Sequence, residues 1–599
     1  MSKITAVFDV EIYKDYFLVG FMDVDSGRFV DLEMYDGHPL DIEKLRRFIR
    51  TFKLISFNGA HFDMPIVALA LSGASCERIK HGANRIINGN LKSWQFEREF
   101  NVTIPKVNHV DIFDVAPGMA SLKIYGGRLH YPKMQDLPFA HDASILPEQR
   151  EVVRLYNHND LGTTKALRDA LLPQIELRER MSEQYGIELR SKSDAQIAEA
   201  VIVHEVEKLG ARKVERPELS DRTTFKYRVP SFVSFVGDAC NAALEMIRAA
   251  DFGLTISGAV DEPDEFKNAT VTIGNGVYRL GIGGLHSSEK CAAHEAGEDY
   301  LIVDRDVASY YPAIILGQGL APKQMGASFT SVYRGIVKRR LDAKHSGDKV
   351  TADSLKITIN GSFGKFGSKW SKLYSPDLLI QTTITGQLAL LMLIEDLEGY
   401  EFGGISVVSA NTDGIVIKCR RDRADVMQAI VAAWEKRTGF ETEETPYTAI
   451  YSRDVNNYIA LKPDGGHKLK GAYANVALAK NPSNEICNEA AVKWLKTGAP
   501  IEQTIRACRD IRKFVTIRQV KGGAVKGDRY LGKAVRWYYS TSASGAIHYQ
   551  VNGYTVARTE GAMPLMDLPA EFPEDVNYQW YIDETASILQ DVGAFNNLN

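Results

Sequence analysis

Between Asp306 and Asp413 the chain sets out its chemistry in a fixed order. An acid follows an apolar strand, two helices bearing cations come next, and a second acid sits at a hairpin tip. No other feature of the 599 residues constrains the fold as tightly. Residues 300–303 read as a strand running into the turn of Asp306. Residues 328–345 carry Val332, Tyr333, Ile336, Val337 and Leu341 at the spacing of an amphipathic helix. Gly347 can end that helix, and Thr351 can cap a second one running to about Gly364. Two antiparallel helices with a short link make a helical hairpin. Residues 405–410 and 415–419 flank Asn411-Thr-Asp-Gly414, a pattern that predicts a β-hairpin with a four-residue turn and Asp413 at its tip.

The cations on the helical hairpin are spaced to share faces. Arg340 and Lys344 stand at i and i+4 on the first helix, and Lys356 and Asn360 on the second. Three cations aimed at one place suit a triphosphate. Gly361, Gly364 and Gly367 thin the far end of the second helix, so a base pair can approach closely. Asp306 and Asp413 are placed to hold a divalent cation against phosphate oxygens. Taken singly, each is an ordinary turn acid or surface cation. Their order carries the argument.

A second acidic set occupies the first 165 residues. Asp9 and Glu11, at i and i+2 on an expected strand over 5–12, share a face. Asn58, Phe62 and Asp63 follow an apolar strand, and Tyr156 and Asp160 share a helix face. Four carboxylates drawn from strand, loop and helix can hold two hard cations, Mg²⁺ or Mn²⁺. Such a pair flanks in-line attack by water on a phosphodiester, and a tyrosine hydroxyl can orient that water. Asp111 reads as structural.

Composition sets the frame. Lys and Arg number 72 against 76 Asp and Glu, and 45% of residues are apolar. Wholesale disorder, collagen and a disulfide scaffold are excluded. At about 100–200 residues per domain, three to five domains are expected. None of the six cysteines forms a CxxC pair, so a reducing cytoplasm is expected, with neither a zinc knuckle nor a disulfide framework. No signal peptide is expected, and no stretch approaches the about 18 apolar residues of a membrane span. Residues 461–540 hold 16 Lys and Arg against 6 acids, while 541–599 hold one Arg against 8. Aromatics and glycines interleave the positive stretch at 521–529 and 532–539, a mix suited to nucleic-acid backbone contact. Elsewhere, strands are expected at 16–22 and 271–280, with helices over 148–185, 195–209, 232–250 and 385–397 and a surface loop at 261–268.

Two sets of motifs resemble one family. DxE (Asp9, Glu11), NxxxFD (Asn58, Phe62, Asp63) and YxxxD (Tyr156, Asp160) resemble the DnaQ-like 3′–5′ exonuclease domain of family B DNA polymerases. The family's motif A, DxxSLYP, is matched at 306–312 with Tyr310 in place of Leu. Its motif B, KxxxNSxYG, is matched at 356–364 with Gly361 for Ser and Phe363 for Tyr. Its motif C, DTDS, is matched at 411–414 with Asn411 for Asp and Gly414 for Ser, and Asp413 retained. The resemblance implies an α/β and α+β multidomain chain, with an RNase H-like exonuclease domain and a right-hand palm, fingers and thumb. The expected domains are the exonuclease at 1–185, a linker or palm-associated region at 186–270, palm at 271–320 and 375–471, fingers at 321–374, and thumb at 472–599.

It also implies residue roles. Asp306, Asp413 and the carbonyl of Val307 would hold metal, two Mg²⁺ or Mn²⁺ ions in each active site. Asp9, Glu11, Asp63 and Asp160 would hold it in the exonuclease, with Tyr156 beside them. Arg340, Lys344, Lys356, Asn360 and Tyr311 would bind the nucleotide, Tyr311 excluding a 2′-hydroxyl. Asn58 and Phe62 would hold the primer end. Tyr458, Lys468 and Lys470 would form the primer-binding segment. Gly283 and Gly284 would stand where the family has YxGG, without its tyrosine. Lys133 is the candidate for a lysine that small phage members carry near the third exonuclease segment.

The implied function is primer extension from dNTPs on template DNA with proofreading, in phage replication within the host cytoplasm. A monomer working with replisome proteins such as a helicase and a single-strand binding protein is expected. Asp306 to Lys356 spans 50 residues and Lys356 to Asp413 spans 57, leaving little room for the extra modules of protein-primed relatives. An ordinary primer and weak unaided strand displacement are therefore expected. Asn411, Gly414 and Gly361 leave open an exonuclease with a degenerate palm. A non-catalytic DNA-binding scaffold is the third reading, and the placed acids argue against it.

Overall fold

The computed structural model describes residues 4–210, 212–399, 403–475 and 477–595. The chain divides into two compact units. One comprises Met1–Ser193, Val476–Ile486 and Ile505–Tyr581; the other comprises Asp194–Asn475, Cys487–Thr504 and Ile582–Asn599. The expected thumb segment, 472–599, is therefore divided between the two.

The first unit is built on a five-stranded sheet in the order Phe29–Met34, Phe17–Asp23, Thr5–Ile12, Lys53–Ser56, His109–Asp111. The first three strands are antiparallel, and the last two run parallel to Thr5–Ile12. Thr5–Ile12 is central and covered on both faces, and both Arg150–Ala170 and Cys76–Gly89 pack on it. The long helix approaches closely only because Gly20 lies beneath it: a Cβ there would fall 1.8 Å from Asn157 Oδ1. The single helix expected over 148–185 is two, Arg150–Ala170 and Leu172–Tyr185. Pro173 supplies no amide to the turn before it, and the run breaks at Leu171, which lies outside helical geometry.

A basic hairpin, Thr516–Lys526 with Arg529–Tyr539, completes this unit. Its fully buried Arg536 donates to the carbonyls of Tyr131, Pro132, Leu565 and Met566 at 2.7–3.2 Å. With no carboxylate among these partners, burial pushes the guanidinium down to about 10. Carbonyl dipoles do the work of a counter-ion here.

The second unit carries a seven-stranded sheet. Its order is Thr442–Tyr447, Tyr300–Val307, Gly414–Arg420, Ile405–Asn411, His286–Ser287, Gly276–Arg279, Thr270–Ile273. The strand expected at 271–280 is a hairpin turning at Gly274 and Asn275, with Gly274 at φ +56°. A two-residue turn of Gly and Asn suits the twist of its strands. The turn after Asn411 is likewise two residues, Thr412 and Asp413, not four. The expected helix over 232–250 is shorter, Asp238–Ala249, starting after Gly237.

Beneath the sheet runs Pro376–Glu398. By length and composition it could cross a membrane, contrary to the sequence expectation, but 89% of its apolar window is buried in the protein. Leu388, Leu390, Leu391 and Ile394 are fully buried, and Trp434 donates its indole N–H to the Ala389 carbonyl at 2.7 Å. It is a core helix.

The helical hairpin consists of Ala327–Ser346 and Lys349–Phe366. Gly347 ends the first helix in the left-handed region, and Asp348, not Thr351, caps the second by accepting from the Thr351 amide at 3.1 Å. Asp194–Gly210 packs against the second helix so closely that a Cβ on Gly361 would lie 2.6 Å from the Asp194 carbonyl oxygen. This contact accounts for glycine where motif B elsewhere has serine. Gly361→Ser is expected to cost about 1–3 kcal/mol, since backbone cannot move aside cheaply. Differential scanning calorimetry should show the melting transition lowered by several degrees.

Candidate active sites

The first acidic set converges. Ligand oxygens of Asp9, Glu11 and Asp160 all lie within 4.8 Å of one another. The strand brings the first two, and Arg150–Ala170 brings Asp160 and Tyr156. Asn157 donates to Asp9 at 3.2 Å and to Glu11 at 3.5 Å. Asp63, at the start of Asp63–Leu71, accepts from the Val10 amide at 3.2 Å. Asp111 accepts from the amides of Asn58 and Ala60 at 2.8 and 2.9 Å, and so ties down the loop that carries Asn58. Asn58 itself is held at φ +66°.

Crowding shows in the protonation. Burial, then the charge of Asp160, pushes Asp9 up to about 7. Burial, then Asp9, holds both Glu11 and Asp63 well above the usual carboxylate range. Burial and the neighbouring carboxylates also push the Tyr156 hydroxyl up, so it stays protonated. Buried, mutually repelling carboxylate oxygens fit a hard divalent cation.

Sequence reasoning missed a lysine here. Lys123 is ion-paired with Asp160, and its ammonium lies 4.3 Å from the Tyr156 ring centroid. Lys133, the expected candidate, is exposed. The Lys123–Asp160 pair joins residues 37 apart, a contact that local spacing does not signal.

In the second unit, strand pairing sets the two motif acids side by side. Asp306 pairs in register with Gly414, and the Val307 amide donates to the Asp413 carbonyl at 2.7 Å. A cavity of about 250 Å³ is lined by Val307, Tyr311, Arg340, Asn360, Thr412 and Asp413, among others. Lys344 and Lys356 do not line it. Lys344 lies 3.6 Å from Glu443 on the surface, and Lys356 is exposed on its helix.

Tyr311 stacks on Phe363 with centroids 4.2 Å apart and donates its hydroxyl to the Gly283 carbonyl at 3.2 Å. Burial, then Asp413, pushes that hydroxyl up to about 12, which keeps its proton in place. The Gly283–Gly284 segment is drawn onto the hairpin tip because the Thr412 amide donates to Leu285 at 2.8 Å. Gly284 is required there: at φ +152° a Cβ would lie 2.8 Å from Thr412 Oγ1.

Lys468 lies 2.9 Å from Asp304 and 3.7 Å from Asp306. Asp304 is buried and also accepts from the Tyr447 hydroxyl at 2.5 Å. These partners orient Lys468 toward the motif A acid. Burial, then Asp304, raises Asp306, while Lys468 opposes the rise. Lys470 lies 5.7 Å from the ring centroid of Tyr458. Asp304 and Tyr447 belong to no local motif, so the sequence reading passed over both.

Gly414 leaves Asp306 its room. A Cβ there would stand 2.4 Å from Asp306 Oδ1 and 2.9 Å from the Arg305 carbonyl oxygen. A serine at this position should therefore harm the site. Should the chain extend primers, Gly414→Ser is expected to slow that extension by roughly a hundredfold, the effect of a misplacement of about 1 Å, as single-turnover rates would show.

Against known proteins, no family model matches the chain. A curated protein, DNA polymerase 1 of Aeropyrum pernix, is 21% identical over 523 residues, covering 79% of this chain and 47% of that protein. The chain spans about half the length of that curated relative. A solved family B DNA polymerase from Pyrobaculum calidifontis aligns with TM-score 0.40 at 14% identity, over 99% of this chain and 78% of that one.

Proposed function

We propose that the chain is a template-directed DNA polymerase of the small phage type, with 3′–5′ proofreading. The observation that carries the reading is the cavity shared by Val307, Tyr311, Arg340, Asn360 and Asp413. It combines a carboxylate, a cation and an aromatic floor at one hairpin tip. In this reading the second unit contains palm and fingers, and the first unit holds an RNase H-like exonuclease.

Arg340 binds the triphosphate of the incoming dNTP, while Lys344 and Lys356, on the same helical hairpin but outside the cavity lining, would reach it only by moving from their surface positions. Tyr311, pinned by Phe363 and the Gly283 carbonyl, packs beneath the sugar and leaves no space for a 2′-hydroxyl. Lys468, oriented by Asp304, neutralises charge beside Asp306 and the primer end. Divalent cations, Mg²⁺ or Mn²⁺, two per site, would be held by Asp306, Asp413 and the Val307 carbonyl, and by Asp9, Glu11, Asp63 and Asp160; when bound they supply Lewis-acid stabilisation of attacking and leaving oxygens. In the exonuclease Tyr156 orients water, Lys123 balances charge at Asp160, and Asn58 and Phe62 hold the single-stranded end.

The test is incorporation of single labelled dNTPs opposite each template base. Incorporation that follows the template supports the reading. Its absence with all four bases, at any Mg²⁺ or Mn²⁺ concentration, overturns it.

A further inference from the structure

Trp370 is 72% exposed, on the loop between Lys349–Phe366 and Pro376–Glu398. A tryptophan carries the largest apolar surface of any side chain, and burial is its ordinary state. Here its ring is flanked instead by two cations. The Arg216 guanidinium and the Lys369 ammonium lie 5.3 and 5.2 Å from it. Among the described residues, neither cation is ion-paired with a carboxylate. Lys369 is steadied by donating to the Ile256 carbonyl at 2.9 Å.

A second, independent feature adjoins this loop. A cavity of about 650 Å³ is lined by Arg228, Lys323, Thr330, Ser331, Arg334 and Asp377, among others. It holds three cations against one acid, and that acid lies 3.6 Å from Lys323. Gln324, next to Lys323, ties cavity to loop. Its side chain donates to the carbonyls of Lys372 and Tyr374 at 2.8 and 3.1 Å, and its own carbonyl accepts from Arg212 at 3.0 Å. Stacking platform and cationic cavity thus share one stretch of surface, part of it contributed by the region 186–270.

We infer that this surface binds single-stranded DNA, with a base stacked on Trp370 and backbone phosphates in the Lys323–Arg334 cavity. Every base has a face to stack, and cations beside an aromatic follow a phosphate backbone without reading sequence. The inference rests on the proposed polymerase function, which makes the unpaired template ahead of the primer the strand to be held. It gives the region 186–270 a role.

The experiment uses the full chain and two fluorescent probes, a blunt duplex and the same duplex with a long 5′ thymidine overhang on the template strand. Fluorescence anisotropy is read at constant ionic strength, with inorganic phosphate as a competitor. Trp370→Ala should weaken overhang binding by roughly tenfold, as loss of one stacked base does, and leave blunt-duplex binding unchanged. Trp370→Phe should recover most of the loss. Arg334→Ala should weaken the overhang probe and flatten its salt dependence. Equal affinity of Trp370→Ala and wild type for the overhang overturns the inference and leaves the patch to a protein partner. Displacement of the overhang by inorganic phosphate alone also overturns it, making the cavity a site for free phosphate. Failure of the wild type to bind either duplex would instead defeat the polymerase reading, and the inference with it.

Discussion

Asp413→Ala should reduce extension of a labelled primer by about a thousandfold or more, while the same preparation still shortens that primer. Asp413 is exposed at the tip of a two-residue turn, so its carboxylate contributes little to packing. The bonds that hold the tip are made by main chain: Val307 donates to the Asp413 carbonyl, and Thr412 to Leu285. Alanine keeps both. What is lost is one of two acids placed to hold a cation. Several kcal/mol of transition-state charge stabilisation depend on such a ligand, and each 1.36 kcal/mol is a factor of ten. Single-turnover extension measures the loss, and an unchanged melting temperature excludes misfolding. Extension within tenfold of wild type would remove Asp413 from the chemistry.

Replacing Asp9 and Glu11 together by alanine should abolish shortening and spare extension. It should also stabilise the metal-free protein, which a merely structural acidic cluster would not do. Asp9 is pushed up to about 7 from an ordinary value of 3.8, with burial the main cause. A carboxyl raised by folding costs stability as pH climbs from its unfolded value to its folded one. The cost is absent below about pH 4 and complete above about pH 7. The shift corresponds to roughly 4 kcal/mol for Asp9 by linkage, and Glu11 moves in the same direction. In EDTA at pH 8, the double variant should therefore melt above wild type, and the gap should close as pH falls toward 4. Divalent cation should raise the wild-type transition and leave that of the variant where it was. A variant that melts lower at pH 8 would show that the acids hold the fold together.

Local pattern made much of this legible. Thr5–Ile12 is the expected strand residue for residue, because apolar positions surround its two acids. Asp194–Gly210 and Ala327–Ser346 lie within one residue of their expected ends, where apolar period and glycine agree. The ordered motifs foreshadowed that Asp9, Glu11 and Asp160 would gather, and that Arg340, Asn360 and Asp413 would share a cavity. What stayed hidden depends on distant partners. Lys123 meets Asp160 across 37 residues, and Tyr447 meets Asp304 across 143. Gly361 and Gly414 look like lost motif residues until the backbones beside them are placed. Pro376–Glu398 shows how little apolar content says about location: its surroundings are the protein's own core. The hairpin at 270–279 was missed because its apolar strands run together through Gly274 and Asn275, whose turn chemistry was the available signal.

The most direct measurement places a 5′-labelled primer on a longer template with Mg²⁺, and compares lanes with and without the four dNTPs. Stepwise lengthening with dNTPs and stepwise shortening without them is the expected result. Shortening in both lanes that stops in the Asp9→Ala, Glu11→Ala variant, with no extension appearing, would contradict the account: the chain would then be a nuclease on a silent palm.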